Sequence, residues 1–493
     1  MSDPQLKSNT PYGVWATTLI AGLLLFRVVL LWLNPSGLHG DEAQYWAWAQ
    51  EPDFGYYSKP PLIAWIIWTT TALFGDAEWA VRLASPILHT FTAILCFLTA
   101  RRLYNAKAGL VAAALYALMP GVALSSSLIS TDAALLVFVA LFLYSWVRVR
   151  EEPSWRWALL IGAALGFGLL AKYAMTYVLP AFGLAVLFEA KTRKAMLSLR
   201  GVVAGLLSGL IILPNILWNA RNDFATMVHT TDNANLKDGP QFNVDELAEF
   251  LFGQLGVFGP VTFILLLIAI WGMRRNRRSF DLWLILLVLT PLLIICAQAV
   301  VSRANANWAA VAYASAPILL AGWAVQSRRA MRWVAAGLIA NLLLGVGPGL
   351  VMTSPTLVDR LGFANAVKRQ RSWPETVEAI RAEYDQGDFD AIAVDNRLLF
   401  YDLLYYEMEE TAPLFMWRYE PRLNNHAELT KALPQDDRSV LLVSYYAPYT
   451  EYFAQDFETL IPLGEINIDL GGGKVRALKT YAASGYKGPA YRD

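Results

Sequence analysis

The chain has 493 residues, of which 56% are hydrophobic, 13% aromatic and 16% charged, against roughly 25% charged in an ordinary soluble protein. That composition excludes a soluble globular domain and indicates a membrane protein. Lys plus Arg and Asp plus Glu stand at 40 each, which gives no basic excess for a nucleic-acid partner, and Cys96 and Cys296 both lie in apolar runs, which excludes a disulfide framework or a thiolate metal cage.

A transmembrane helix needs about 20 apolar residues. Residues 13–33 are expected to form the first one rather than a cleavable signal, because the run is long and ends at Asn34-Pro35 without a small-residue cleavage pattern. Further spans are expected near 82–100, 107–122, 132–148, 156–171, 173–189, 200–218, 253–272, 280–300, 307–326 and 331–351. The stretch 61–74, PLIAWIIWTTTALF, is short and contains two Trp residues, so it is expected to lie at the interface. The fold class is therefore a polytopic α-helical membrane protein of about 11 transmembrane helices, with interfacial helices in the first outer loop.

Basic clusters orient this arrangement. They occur at Arg101, Arg102 and Lys107; at Arg148, Arg150 and Arg156; at Lys191, Arg193, Lys194 and Arg200; at Arg274, Arg275, Arg277 and Arg278; and at Arg328, Arg329 and Arg332. They follow every second span, so placing them in the cytoplasm puts the N-terminus inside, and residues 34–81 and everything after about 352 outside. Residues 1–352 are then a transmembrane domain and 353–493 an outer one. The outer domain carries 15 basic residues against 22 acidic, which leaves the membrane part positive. Within it, WPETVEAIRAEYDQ has helical periodicity, AIAVD and SVLLVSYY read as short buried strands, and INIDLGGGKVRALKTY reads as a hairpin turning at Gly471-Gly472-Gly473. A small α/β domain is expected. The absence of a repeat counts against an inverted-repeat transporter.

Polar residues collect on the predicted outer side. Adjacent carboxylates are ordinarily solvated loop charges, but Asp41-Glu42 opens an aromatic stretch, Tyr45, Trp46 and Trp48, suited to the interface. Partial burial there is expected to raise the pKa of an acid toward the range useful to a base acting on an acceptor hydroxyl. Lys59, before Pro60 and Pro61, reads either as a snorkelling side chain or as a fixed cation for a phosphate, with Arg82 or Arg303 as a bidentate helper. Thr131 and Asp132 open an apolar span and read as helix caps. Lys172, followed by Tyr173, lies in a reach where charge is expensive and often functional. His229 alone is a weak ligand signal, since zinc sites use three or four ligands. No HExxH, Walker loop, GxGxxG or GxSxG elbow is in context.

The ordered set Asp41-Glu42, Tyr56-Tyr57-Ser58-Lys59-Pro60-Pro61-Leu62, Trp79 with Arg82-Leu83, Thr131-Asp132, Lys172-Tyr173 and Asn307-Trp308 resembles the bacterial branch of the protein O-mannosyltransferase-like family. These are integral-membrane glycosyltransferases with lipid-phosphate sugar donors, and the lipid A aminoarabinose transferase is a relative. The resemblance spans roughly residues 10 to 330. It implies that Asp41 is the catalytic base and that Glu42 supports it or binds the acceptor or a divalent ion. It also implies that Lys59, with Tyr56 and Arg303, holds the donor phosphate, and that Asp132 lines the same outer cavity. Arg82, Lys172, Tyr173 and His229 are added as further phosphate or substrate contacts. Some relatives carry an acidic metal-binding residue just before the lysine, where this chain has Ser58. A metal, if used, would rest on Glu42 and His229; no other cofactor is implied.

The expected activity is transfer of a sugar from a polyprenyl-phosphate donor to an envelope glycolipid, lipid A or the lipopolysaccharide core, at the periplasmic face of a bacterial inner membrane. A protein acceptor with the same donor chemistry, a flippase of lipid-linked sugar, and an outer-domain receptor are the competing readings. Mannose, galacturonic acid and aminoarabinose are not separated by any motif in the chain.

Overall fold

A computed structural model of the chain describes residues 11–233, 242–273, 278–445 and 449–490. The chain divides into two compact units, one of Met1–Trp32, Arg82–Asp223 and Thr230–Leu350, the other of Leu33–Val81, Phe224–His229 and Val351–Asp493. The second unit is larger than the expected 353–493 domain, because the first outer loop packs with the C-terminal segment.

All eleven apolar runs of the membrane region contain helix, but their lengths differ from expectation. Among the described residues, six helices are long and apolar enough to cross a membrane: Tyr12–Leu33, Glu78–Leu103, Thr131–Glu151, Leu199–Arg221, Asp281–Val301 and Arg328–Val351. Two further candidates are bent pairs, Tyr173–Phe188 with Ala190–Met196 at 100° and Val244–Phe258 with Pro260–Met273 at 104°. Counting each pair once gives up to eight spans, fewer than the eleven expected. The shortfall has local causes. Gly259 adopts φ +94° ahead of Pro260, which breaks that run. Residues Tyr173–Val178 form a 3-10 helix, and Pro120 opens a separate short helix after Ala106–Ala117. The helices Ala106–Ala117, Trp155–Ala171 and Ala312–Ala324 have 10–17 residues, as does Leu62–Phe74. The basic residues Arg274, Arg275 and Arg277 lie outside the described residues.

The second unit is built on a five-stranded mixed sheet in the order β2-β1-β3-β5-β4, where β1 is Ala391–Val394, β2 Leu414–Met416, β3 Ser439–Ser444, β4 Phe457–Gly471 and β5 Lys474–Tyr486. β1 runs parallel to β2 and β3, and β5 runs antiparallel to β3 and β4. Strand β1 is buried along its whole length, as a parallel strand covered on both faces must be. Gly471 pairs with Lys474 across the β4–β5 turn, and Gly472 and Gly473 both take positive φ, the conformation a tight two-residue hairpin requires. Trp417, Val440, Leu442, Phe453, Phe457 and Tyr481 fill the core, and the buried Trp417 indole donates to Asp456 Oδ2 at 3.1 Å.

The same unit packs the helix Gly40–Gln50 of the first loop against the helix Arg397–Tyr405. The approach is close because Gly40 has no side chain: a Cβ there would meet Leu398 Cβ at 2.8 Å and Asp402 Oδ2 at 3.2 Å. Gly40→Ala is expected to overpack this junction and cost about 1–3 kcal/mol, read as a lower thermal midpoint of the detergent-purified protein. Gly22→Ala, whose added Cβ meets nothing within 4 Å, is expected to leave the midpoint in place.

Candidate active site

The loop that follows the first helix is shaped by its own side chains. His39 caps the helix Gly40–Gln50, its Nδ1 accepting from Asp41 N at 3.3 Å, while Glu42 Oε2 accepts from His39 N at 3.0 Å. This reciprocal capping box satisfies two otherwise unpaired backbone donors. It commits a buried Glu42 carboxylate oxygen to the helix start and turns Asp41 outward, with its side chain 47% exposed.

Asp41 meets a cation that the sequence reading missed. Arg397 Nη1 lies 3.0 Å from Asp41 Oδ1 and also donates to Gln44 Oε1. Gln44 in turn donates to Ser58 Oγ at 3.5 Å, beside Lys59. Burial pushes the Asp41 carboxyl upward, but the Arg397 charge, the His39 ring, the Arg397 hydrogen bond and the Lys59 charge together hold it below the ordinary carboxylate value. This corrects the expected rise: Asp41 is kept ionised by cations. Asp402, 1% exposed, lies beneath the same helix start. Burial pushes its carboxyl well above the usual range, Glu42 and Asp41 push it further, and Arg476 and Arg397 oppose them.

Tyr56 is engaged in packing within the loop. It is 1% exposed; its hydroxyl donates to Trp48 O at 2.9 Å and accepts from Asp53 N at 3.0 Å. Its ring stacks on Trp48 at 4.5 Å with an interplanar angle of 2°. It shapes the turn that presents Lys59, because Tyr56 N donates to Lys59 O at 3.2 Å. His426, also missed in the sequence, sets its ring edge against both Trp48 and Tyr56; burial lowers its pKa to about 4. His229 packs its ring 5.5 Å from that of Tyr57. Among the described residues no group of three or more His, Cys, Asp or Glu is placed to hold a metal ion. Of the two residues named for a metal, Glu42 is engaged in the cap and His229 packs against Tyr57.

The first unit carries a second polar cluster. Asp132 sits in the first turn of Thr131–Glu151 but does not act as its cap. Its Oδ1 accepts from Lys172 Nζ at 2.7 Å and its Oδ2 from Asn307 Nδ2 at 2.8 Å. Tyr173 donates to Asn215 Oδ1 at 2.7 Å and accepts from Asn219 Nδ2 at 3.3 Å. The structure thus brings together Asp132, Lys172 and Asn307, three residues far apart in the chain. Arg82 is 2% exposed. Arg303 is exposed in the loop after Asp281–Val301.

Residues 58–218 match the family model described as dolichyl-phosphate-mannose-protein mannosyltransferase. The chain is 34% identical over 392 residues to the lipid A galacturonosyltransferase RgtD of Rhizobium johnstonii, covering 78% of this chain and 81% of that one. The chain belongs to this glycosyltransferase family. The transferase is also 32% identical to an undecaprenyl phosphate-alpha-4-amino-4-deoxy-L-arabinose arabinosyl transferase of Pseudomonas fluorescens, over 34% of this chain and 33% of that one. Its fold is similar to that of ArnT from Cupriavidus metallidurans bound to undecaprenyl phosphate, with a TM-score of 0.66 at 15% identity, covering 96% of this chain and 98% of that one. It is a multi-pass membrane glycosyltransferase.

Lys172→Met in the transferase is expected to leave the largely buried Asp132 carboxylate with Asn307 alone and to cost about 1–3 kcal/mol. Adding Asp132→Leu should restore part of that loss, because the second change removes the unpaired charge. Thermal unfolding of the two single variants and the double one measures the coupling.

Proposed function

We propose that this transferase moves a galacturonosyl residue from polyprenyl phosphate to a cell-envelope glycolipid, lipid A or the lipopolysaccharide core. The observation that carries the reading is Asp41: a half-buried carboxylate, paired with Arg397 and held below the ordinary carboxylate value, at the start of a helix fixed by its own capping box. Such a group accepts a proton from an acceptor hydroxyl while a neighbouring cation receives a phosphate. The similarity to a lipid A galacturonosyltransferase over most of both chains supports a hexuronosyl donor over the aminoarabinosyl one, for which the match covers about a third.

The reaction is a single displacement at the anomeric carbon. The acceptor oxygen forms the new bond to that carbon as its proton passes to Asp41. The bond from the anomeric carbon to the phosphate oxygen breaks, and polyprenyl phosphate departs with the electron pair. Lys59 stabilises the charge that develops on the departing phosphate, the electrostatic task of a fixed cation in a preorganised site. Glu42 and Tyr56 position, respectively, the helix of Asp41 and the turn of Lys59. Asp132, Lys172 and Tyr173 are carried over as further substrate-contact candidates on the family resemblance alone. The basic clusters assign the N-terminus to the inner side and residues after about 352 to the outer side, and the family resemblance makes that outer side the periplasm of a double-membraned bacterium.

Asp41→Asn is expected to lower kcat by about 10²–10⁴, and Lys59→Ala by about 10²–10³, measured as labelled glycolipid formed from purified donor and a lipid A extract in liposomes. Wild-type protein that carries the donor across the bilayer and forms no glycolipid would overturn the assignment. Because Asp41 titrates below the ordinary carboxylate value, its charge is lost only as pH falls through that lowered pKa. The profile of kcat/KM should therefore show no carboxylate limb between neutrality and about pH 4. An acid limb near pH 6 would show that a different group is the base.

A further inference from the structure

Arg397 is held in a way that leaves half of it unused. Asn396 caps its helix through bonds from Leu398 N and Leu399 N at 2.9 and 3.2 Å, so the Arg397 backbone is fixed. Both of its hydrogen bonds, to Asp41 and to Gln44, use the same nitrogen, Nη1. Nε and Nη2 make no protein hydrogen bond among the described residues, and the side chain is 35% exposed. A guanidinium anchored at one nitrogen and open along another edge is built to take a carboxylate in a two-point, charge-assisted contact.

The position of that open edge selects which anion it serves. In a single displacement, the base and the departing phosphate stand on opposite sides of the anomeric carbon. A cation bonded to the base is therefore poorly placed for the phosphate, which Lys59 serves, and well placed for a substituent of the sugar ring. On a hexuronosyl ring the substituent next to the ring oxygen, on the side away from the anomeric carbon, is a carboxylate. We propose that Arg397 is the specificity-determining residue of the transferase, exchanging part of its contact with Asp41 for the carboxylate of the donor sugar. This rests on the galacturonosyl reading above. The exchange replaces one carboxylate by another, so the charge around the guanidinium is unchanged, while Asp41 Oδ1 is released to accept the hydrogen of the acceptor hydroxyl. A sugar with a neutral group in place of the carboxylate leaves Asp41 engaged.

The test uses the full-length protein in liposomes with polyprenyl-phosphate galacturonosyl donor and lipid A acceptor. Polyprenyl-phosphate galactose, which differs by a hydroxymethyl for the carboxylate, and bare polyprenyl phosphate serve as competitors. Arg397→Gln is expected to raise KM for the galacturonosyl donor by about ten- to a hundredfold, with the inhibition constants of both competitors moving by less than about threefold. Arg397→Lys, which keeps the charge but not the planar fork, should fall between. Three results overturn the inference while leaving the galacturonosyl reading intact: equal weakening of all three ligands, weaker inhibition by bare polyprenyl phosphate alone, or a fall in kcat at unchanged KM. The first means that Arg397 only supports the site, the second that it holds the phosphate, the third that it acts solely through Asp41. Wild-type protein that transfers another sugar and not galacturonic acid overturns both the reading and the inference.

Discussion

The Arg397–Asp41 ion pair is the interaction around which the candidate site of the second unit is organised. It joins the first helix of an early loop to a helix some 350 residues later in the chain, and much of the surrounding detail supports it. Gly40 lets the two helices approach, Asn396 fixes the arginine's backbone, and His39 with Glu42 fixes the carboxylate's. An exposed salt bridge by itself contributes little to stability. Its value here is positional: it decides the protonation state and direction of one oxygen, while the packing that makes it inevitable supplies the stability.

Beneath the pair, the unit buries charge selectively. Arg476, 3% exposed, is satisfied by Ser372 O, Thr376 Oγ1 and Arg371 O, and its guanidinium lies 3.6 Å from the centre of the Trp373 ring. Burial lowers its pKa to about 10, so it stays charged at neutral pH. Asp402, deeper still and short of partners for its Oδ1 among the described residues, is pushed toward the neutral acid by burial and by Glu42 and Asp41. Environment therefore sorts the acids: Asp41 turns toward Arg397, which holds its carboxyl below the ordinary value, Glu42 is tied to the backbone of the helix start, and burial pushes Asp402 upward.

What was legible in the sequence followed from local physics. Apolar runs announce helices and the triple glycine announces the β4–β5 turn, while Asp41 and Lys59 stand out as candidates because both lie in one short loop with aromatic neighbours. Helix length was less legible: Gly259-Pro260 and the 3-10 segment at 173–178 lie inside runs whose hydropathy is continuous, and hydropathy does not register a bend. The pairing of Tyr56 with the backbone of Trp48 and Asp53 is not legible in one dimension, where it looks like any tyrosine beside a lysine. Arg397 carried no local signal at all; its significance comes from tertiary packing. Asn215 and Asn219 did carry one, since two amides four residues apart in an apolar helix must face a polar partner, and that partner is Tyr173.

The chemistry assigned to the site has a physical reason to rely on fixed cations. A lipid-phosphate donor leaves as a single phosphate, so the developing charge is compact and appears at one place. A lysine presented by a proline-stiffened turn meets that charge without reorganising, and an arginine on a capped helix meets a second anion without competing for the first, since the two are carried by separate segments of one unit. Holding both cations near the base does more than attract anions. It lowers the proton affinity of Asp41 in the empty site, so that the carboxylate waits in the form that accepts a proton, and each anion that arrives on a cation weakens that restraint. Substrate binding and activation of the base are then the same electrostatic event, driven by the charges the donor itself brings.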